Sequence, residues 1–183
     1  PVFGPSFDLK IVFSSDREGD FLLYEMNSSG GGLQPLSPFA PNDDREPAVS
    51  PVENAPWVLF TSTRDGDSDI WYKANEPADL AATNLTWDFT GSESSPAWSL
   101  EGDLIYFASD ENGSLDIWSA LFPGGVPQLL SRSDTANESS PEISPVSGDK
   151  RLLIVSDHDG SPDLYFMDAI GGEILGRLLQ DGA

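Results

Sequence analysis

The residues in this chain that could do chemistry are almost all carboxylates. Asp65-Gly66-Asp67-Ser68-Asp69 alternates three aspartates through a turn, the kind of hard-oxygen array that Ca²⁺ takes. It lacks the distal bidentate glutamate of an EF-hand loop. The same residues suit a plain turn in which Asp69, like Asp116 and Asp163, accepts local hydrogen bonds. Both readings stay open, with Ca²⁺ as the cofactor the sequence admits and Asp65, Asp67 and Asp69 as its ligands. A second repeated acid, at Asp44, Glu93 and Glu138, precedes a proline by three residues and is expected to brace a loop. Paired carboxylates also hydrolyse glycosides, but among 31 acidic residues some pair falls at a suitable separation by chance. Cysteine is absent and His158 is the one histidine, which excludes thiol nucleophiles, disulfides and multi-histidine metal sites. His158 shares a turn position with Arg17, Arg64 and Glu111, so it is read as a solvated loop residue. Gly30-Gly31-Gly32 and Gly171-Gly172 lie in no phosphate-binding motif. No catalytic residue is assigned.

Four N-x-S/T sequons occur, at Asn27, Asn84, Asn112 and Asn137, where composition alone gives about one. Asn and Ser also meet in turns because both favour them. Glycans on these residues would place the chain outside the cell.

Charge narrows the partners. With 31 acidic against 9 basic residues the net charge is −22, so the chain repels nucleic acid and anionic lipid alike. Hydrophobic residues make up 38 %, enough to bury a core, and no apolar run approaches the roughly 20 residues of a spanning helix. Lysine is scarce (Lys10, Lys73 and Lys150), which also suits a salt-loving organism whose acidic surface holds water.

The elements that must position these acids come from a repeat. Phe13, Phe60, Phe107 and Ile154 stand 47 residues apart, as do Ser15, Ser62, Ser109 and Ser156. Gly19, Gly66, Gly113 and Gly160 keep the same step, and so do Tyr24, Trp71, Trp118 and Tyr165. Each copy holds an apolar run such as Val58-Leu59-Phe60, a glycine turn, and a second run such as Ile70-Trp71. A weaker outer strand is expected near Leu36, Leu85, Leu129 and Leu178, and an opening strand led by Pro5, Pro47, Pro96 and Pro141. Four short antiparallel strands per 47-residue unit predict an all-β fold, a β-propeller of four blades. The blades are expected at about 1–43, 44–92, 93–137 and 138–183.

Pro96-Ala97-Trp98-Ser99-Leu100-Glu101-Gly102, Ile105-Tyr106-Phe107-Ala108-Ser109 and Asp116-Ile117-Trp118 resemble the TolB-type propeller repeat, P-x-W-S-P-D-G, I-x-F-x-S, D-I-Y. Thr63-Arg64-Asp65-Gly66 and Ser144-Pro145 match further parts of it; the first copy lacks the S-P-D-G turn, and the second has Val52-Glu53-Asn54 there. The resemblance covers essentially the whole chain and implies protein–protein contacts in the periplasm. It also implies a larger ring, usually of six blades, so four blades are a departure. A closed four-bladed ring is the favoured expectation; an arc of a larger propeller is the alternative. The start at Pro1 without Met reads as a processed or excerpted chain.

In this blade scheme roughly twenty of the 31 acids fall in hairpin turns and inter-blade connections that share one rim. The function expected is a non-catalytic interaction or structural module, periplasmic, cell-surface or extracellular, binding a protein or copies of itself, with a glycosylated fibre as one form. The alternatives are a Ca²⁺-dependent lectin using Trp57, Trp98 or Trp118, and the gating propeller of a prolyl-oligopeptidase-type hydrolase.

Overall fold

Strands of the repeat return at the step the sequence sets. The computed structural model describes residues 10–37, 43–52, 57–76, 81–131 and 135–178; among them there is no helix, and fifteen strands form four antiparallel sheets. Blade 1 holds β1 (Lys10–Ser15), β2 (Leu22–Asn27) and β3 (Gln34–Pro35). Blade 2 holds β4 (Asp44–Val49), β5 (Trp57–Ser62), β6 (Asp69–Ala74) and β7 (Thr83–Asn84). Blade 3 holds β8 (Glu93–Trp98), β9 (Leu104–Ser109), β10 (Asp116–Leu121) and β11 (Gln128–Leu129). Blade 4 holds β12 (Glu138–Ile143), β13 (Arg151–Ser156), β14 (Asp163–Asp168) and β15 (Ile174–Arg177). The strand expected around Pro5 and Phe7 lies outside the described residues.

Two details differ from the sequence reading. The opening strands begin three residues before the proline, at Asp44, Glu93 and Glu138, and the proline sits inside a bulge. Pairing with the second strand skips between Arg45 and Ala48, Ser94 and Ala97, and Ser139 and Glu142. Just before each proline, Glu46, Ser95 and Ser140 take left-handed φ values of 51–54°, so the missing proline N–H falls where the ladder is already broken. The outer strand of blade 3 also shifts: Leu130, not Leu129, turns inward, because the chain folds over Ile117 with Leu130 N–H donating to its carbonyl at 2.8 Å.

Between the second and third strands, glycine is required by conformation. Gly66 has φ 124°, its N–H donates to Thr63 O at 3.1 Å, and open space surrounds the site of a Cβ. Only backbone strain would therefore oppose a side chain. Gly66→Ala is expected to lower unfolding free energy by about 1 kcal/mol, read as a shifted denaturant midpoint at constant slope.

The core lies between blades and is built three times from the same columns. Each blade turns a leading face to the next and a trailing face to the one before. Val12, Leu23 and Leu36 of blade 1 meet Val58, Phe60 and Trp71 of blade 2. Leu59, Ile70 and Leu85 of blade 2 meet Ile105, Phe107 and Trp118 of blade 3. Tyr106, Ile117 and Leu130 of blade 3 meet Leu152, Ile154 and Tyr165 of blade 4. Blades pack in chain order, and among the described residues no comparable packing joins blade 4 to blade 1. The four sheets follow one another in chain order, each packed on the next.

Candidate functional site

The acidic rim is the place where this fold concentrates chemistry. Ladder register brings Asp44 opposite Ser62 and Ser62 opposite Asp69, so the opening residue of each blade, its hairpin turn and the outer connection share one edge. Blades 3 and 4 repeat this with Glu93–Ser109–Asp116 and Glu138–Ser156–Asp163.

Much of the rim's charge is spent on holding the turns. In blade 4, Asp157 Oδ1 accepts the Asn137 N–H at 2.7 Å, Asp157 Oδ2 accepts Asn137 Nδ2 at 2.8 Å, and Asp157 N–H returns to Asn137 O at 3.2 Å. In blade 3, Asp110 does the same for Ser92, at 2.7 Å and 3.4 Å. Blade 2 uses Thr63, whose hydroxyl accepts Asp43 N–H at 3.2 Å. Each clamp fixes the residue just before the buried opening acid. That acid's own N–H then crosses to the previous blade: Asp44 to Phe21 O, Glu93 to Ser68 O and Glu138 to Leu115 O, at 2.6–2.7 Å. Anions that receive such bonds are favoured in their charged form. Asn137's side chain and N–H hold Asp157 below the usual carboxylate range, and the Thr90 and Gly91 amides do so for Glu111.

The three opening acids are fully buried and differ in their company. Asp44 meets Arg64, whose Nη2 lies 2.7 Å and 2.8 Å from the two carboxylate oxygens. Glu111 and His158 replace that arginine in blades 3 and 4. Glu93 keeps a bond from Ser109 Oγ at 2.8 Å, while among the described residues its Oε2 has no hydrogen-bond partner. Among the described residues neither oxygen of Glu138 accepts a bond of ordinary geometry, though the Ser131 and Ser156 hydroxyls lie near enough to oppose its rise. Burial pushes Glu93 up to about 7, with hydroxyls opposing and Asp69 adding to the rise. Burial does the same to Glu138, also to about 7, with the Asp116 charge reinforcing it. Two groups titrating near neutrality inside the rim make pH a structural variable.

The aspartates first considered for Ca²⁺ are placed as follows. Asp69 is buried at the start of β6 and accepts Thr86 Oγ1 and Asn84 Nδ2, each at 3.0 Å; Asp65 accepts the same Asn84 amide at 3.3 Å. Asp67 is exposed. Burial raises Asp69 despite these bonds. Its partners are side chains of the outer strand and the residues just after it, and Asp163 meets the outer-strand Arg177. Among the described residues no group of three or more His, Asp or Glu side chains is placed to hold a metal ion. Of the sequon residues, Asn112 is exposed at a hairpin tip, while Asn84 and Asn137 donate to carboxylates and Asn27 is half-buried against Gly32.

Trp98 and Trp118 belong to the inter-blade core, and Trp57 packs edge-on against Tyr72 and Phe122. Trp98 and Trp118 are buried, and Trp57 is half-buried. The exposed tryptophan is Trp87, with 75 % of its surface in solvent, beside a cleft of about 230 Å³ with Tyr72, Asn84, Asp88, Pro123 and Val126. It lies in a connection without a repeat counterpart, so no column points to it.

No family model matches the chain, and no curated protein sequence does. Solved structures do. A putative TolB from Agrobacterium tumefaciens superposes with a TM-score of 0.76 at 24 % identity, covering 90 % of this chain and 59 % of that one. TolB from Acinetobacter baumannii gives 0.73 at 17 %, covering 97 % and 43 %. The fold is that of a TolB-type β-propeller. A puromycin-hydrolyzing peptidase from Mycobacterium tuberculosis contains a similar arrangement, with a TM-score of 0.67 at 17 % identity over 94 % of this chain and 28 % of that one. This chain spans about half the length of the TolB structures it matches. Among the described residues no helix is long and apolar enough to cross a membrane.

Proposed function

We propose that this chain is a non-catalytic propeller module whose acidic rim binds a protein presenting a basic patch, in the bacterial envelope or outside the cell. One observation carries this reading: the rim's carboxylates are anchored by repeated clamps, so those left exposed stand on fixed turns. Asp16, Glu18, Asp20, Asp65, Asp67, Asp110 and Asp159 are all exposed there. A rigid array of one charge steers an oppositely charged partner and loses little freedom on binding. The likeness to TolB supports a periplasmic setting by analogy of fold, which by itself assigns no activity.

Photo-crosslinking in the native cells tests it. A crosslinker at Glu18, Asp65 or Asp110 is expected to trap a protein, in an extracytoplasmic fraction, and one at Ser147 on the opposite rim is not. Adducts confined to the opposite rim, or a cytoplasmic location, would overturn the reading.

A second reading rests on Trp87. An exposed indole beside Asp88, Asn84 and Tyr72 is the arrangement on which a pyranose ring stacks while polar groups take its hydroxyls. Here carbohydrate binding is carried by Trp87 in place of the buried tryptophans. Glycan-array binding abolished by Trp87→Ala is the expected result; an array without hits removes it.

A further inference from the structure

One place in the repeat is filled differently at each junction between blades. It lies toward the rim opposite the acids, where the third strand ends and the second begins. Between blades 2 and 3 it is packed with rings: Phe122 meets Trp57, Tyr72 and Trp98 with ring centres 4.7–5.7 Å apart. Phe122 follows the third strand, and its N–H donates to Asp103 O at 2.9 Å. One repeat later Ala169 holds the same place, its N–H donating to Lys150 O at 2.8 Å. The other rings give way there too. Leu104 and Ser119 stand 47 residues after Trp57 and Tyr72, and Ile143 faces Leu152 as Trp98 faces Ile105. Between blades 1 and 2 the ion pair Lys10–Glu25, at 3.4 Å, takes the columns of Trp57 and Tyr72.

Four aromatic side chains are thus replaced by three smaller aliphatic ones and a serine. A cleft of about 270 Å³ is the result between blades 3 and 4. An apolar protein cavity of roughly 150 Å³ is enough to hold a benzene molecule. Tyr106, Leu104, Ile143 and Ala169 give the cleft an apolar floor; Tyr106 is buried, and its hydroxyl donates to Ala169 O at 3.4 Å. The charges around the mouth are mostly matched. Asp149 is held by Arg151 at 2.7 Å and 2.8 Å, and Lys150 acts on Asp168. Glu101 and Asp103 are exposed, and Asp103 accepts the neutral Ser99 hydroxyl at 2.9 Å. Among the described residues neither of these two has an ion-pair partner. Their field reaches the floor: burial, then the charges of Asp103, Glu101 and Asp168, push the Tyr106 phenol up to about 12.

We propose that this cleft binds a small aromatic amine, its ring taking the place that Phe122 holds one junction earlier and its ammonium meeting Glu101 and Asp103. The ring restores the apolar contact that the substituted columns have lost. The cation matches the two acids, and an anion is repelled by them. The cleft uses neither the acidic rim nor Trp87, so it stands or falls apart from both readings above.

Titration calorimetry of the 183-residue chain with phenethylamine reads the site. Binding at about 1 mM or tighter is expected, about tenfold weaker for phenethyl alcohol, which keeps the ring and loses the charge. Phenylacetate and butylamine are expected to give no measurable binding. Ala169→Phe puts the Phe122 ring back, and is expected to abolish binding without lowering the melting temperature. A misfitted ring would also abolish binding, so Glu101→Gln with Asp103→Asn, both at exposed positions, supplies the second test. That variant is expected to lose the tenfold advantage of the amine and to bind the alcohol as the wild type does. A folded wild type that fails to bind phenethylamine overturns the proposal. So does phenylacetate binding as tightly as the amine, or a folded Ala169→Phe that binds like the wild type. Binding of a dipeptide amide with amino-terminal phenylalanine, and not of phenethylamine, would make the ligand a peptide end and would equally overturn it.

Discussion

Arg64→Met is expected to cost about 3–5 kcal/mol of folding stability, the usual range when one partner of a buried ion pair is removed. Asp44 is fully buried and accepts Arg64 Nη2 on both of its oxygens, while Arg64 Nε donates to Ser62 Oγ at 2.9 Å. The guanidinium lies 4.7 Å from the Trp71 ring centre and 5.2 Å from Phe60, so it closes the trailing face of blade 2 from above. Methionine can fill the space and still leave a buried carboxylate without its cation. Arg64→Lys keeps the charge but loses the second donor to Ser62 and the flat stacking, and is expected to fall between wild type and methionine. The double variant Asp44→Asn with Arg64→Met is expected to be more stable than Arg64→Met alone, because the stranded charge is gone. Urea midpoints of the four proteins check the order. If Arg64→Met shifts the midpoint no more than an exposed substitution does, the pair contributes nothing and the reasoning fails. A domain stable by about 5–15 kcal/mol would lose a large share of its margin through this one change.

The blades were legible in sequence because their second and third strands carry the repeat without slippage. Phe13, Phe60, Phe107 and Ile154 all fall in strands of one type, and Gly19, Gly66, Gly113 and Gly160 all take positive φ in the turn that follows. That turn has fixed length, so a 47-residue ruler reads it. The opening strands escaped the ruler: they begin at residues 44, 93 and 138, because the connections from outer strand to next blade differ in length. Hence the proline was placed at a strand's first residue when it lies in a bulge, and Leu129 stood for Leu130. Trp87 sits in one of those variable connections and had no column to reveal it. Trp71 and Trp118 are legible as core, since their column holds Tyr24 and Tyr165 in the other copies.

The site was less legible because its behaviour depends on pairs of columns. Asp44, Glu93 and Glu138 form one column, and Arg17, Arg64, Glu111 and His158 another. Read singly, the first looks like a row of braces and the second like variable surface. Read together, they show that blade 2 matches an acid with an arginine, while blades 3 and 4 keep the acid and drop the arginine. The charge of the rim is thus uneven beneath its uniform surface. Blade 2 holds a neutralised pair, and blades 3 and 4 hold carboxyls that the protein interior presses to stay protonated.

Stability is therefore expected to fall as pH rises from about 4.5 to about 7 and to level off beyond. Over that window the folded protein keeps protons on Glu93 and Glu138, each about 7, which an unfolded chain has released at the ordinary 4.5. The folded state binds more protons, so unfolding free energy drops with rising pH, by at most about 1.4 kcal/mol per unit for each group. Asp43, Glu111 and Asp157 act in the opposite sense. Their folded values are lowered, by the Phe21 N–H, the Thr90 and Gly91 amides, and the Asn137 side chain and amide; their contribution is present above the ordinary carboxylate range and lost below it. A maximum near pH 5 follows. Self-repulsion of a −22 chain also lowers stability above that point, so the slope alone does not assign the two glutamates. Glu138→Gln does: it removes a charge the interior disfavours, keeps the shape, and is expected to raise stability by about 1–3 kcal/mol at pH 8 and change it little at pH 5. His158→Arg offers an independent check, because it copies the blade 2 solution. An arginine there stands where Arg64 stands, beside Tyr165 in the place of Trp71, with Glu138 in the place of Asp44. It too is expected to raise stability at pH 8, here by pairing the ionised glutamate instead of deleting it, and to flatten the pH slope. Thermal melts of both variants at pH 5 and pH 8 decide the matter: slopes equal to wild type in both would mean that Glu138 ionises freely in the folded protein.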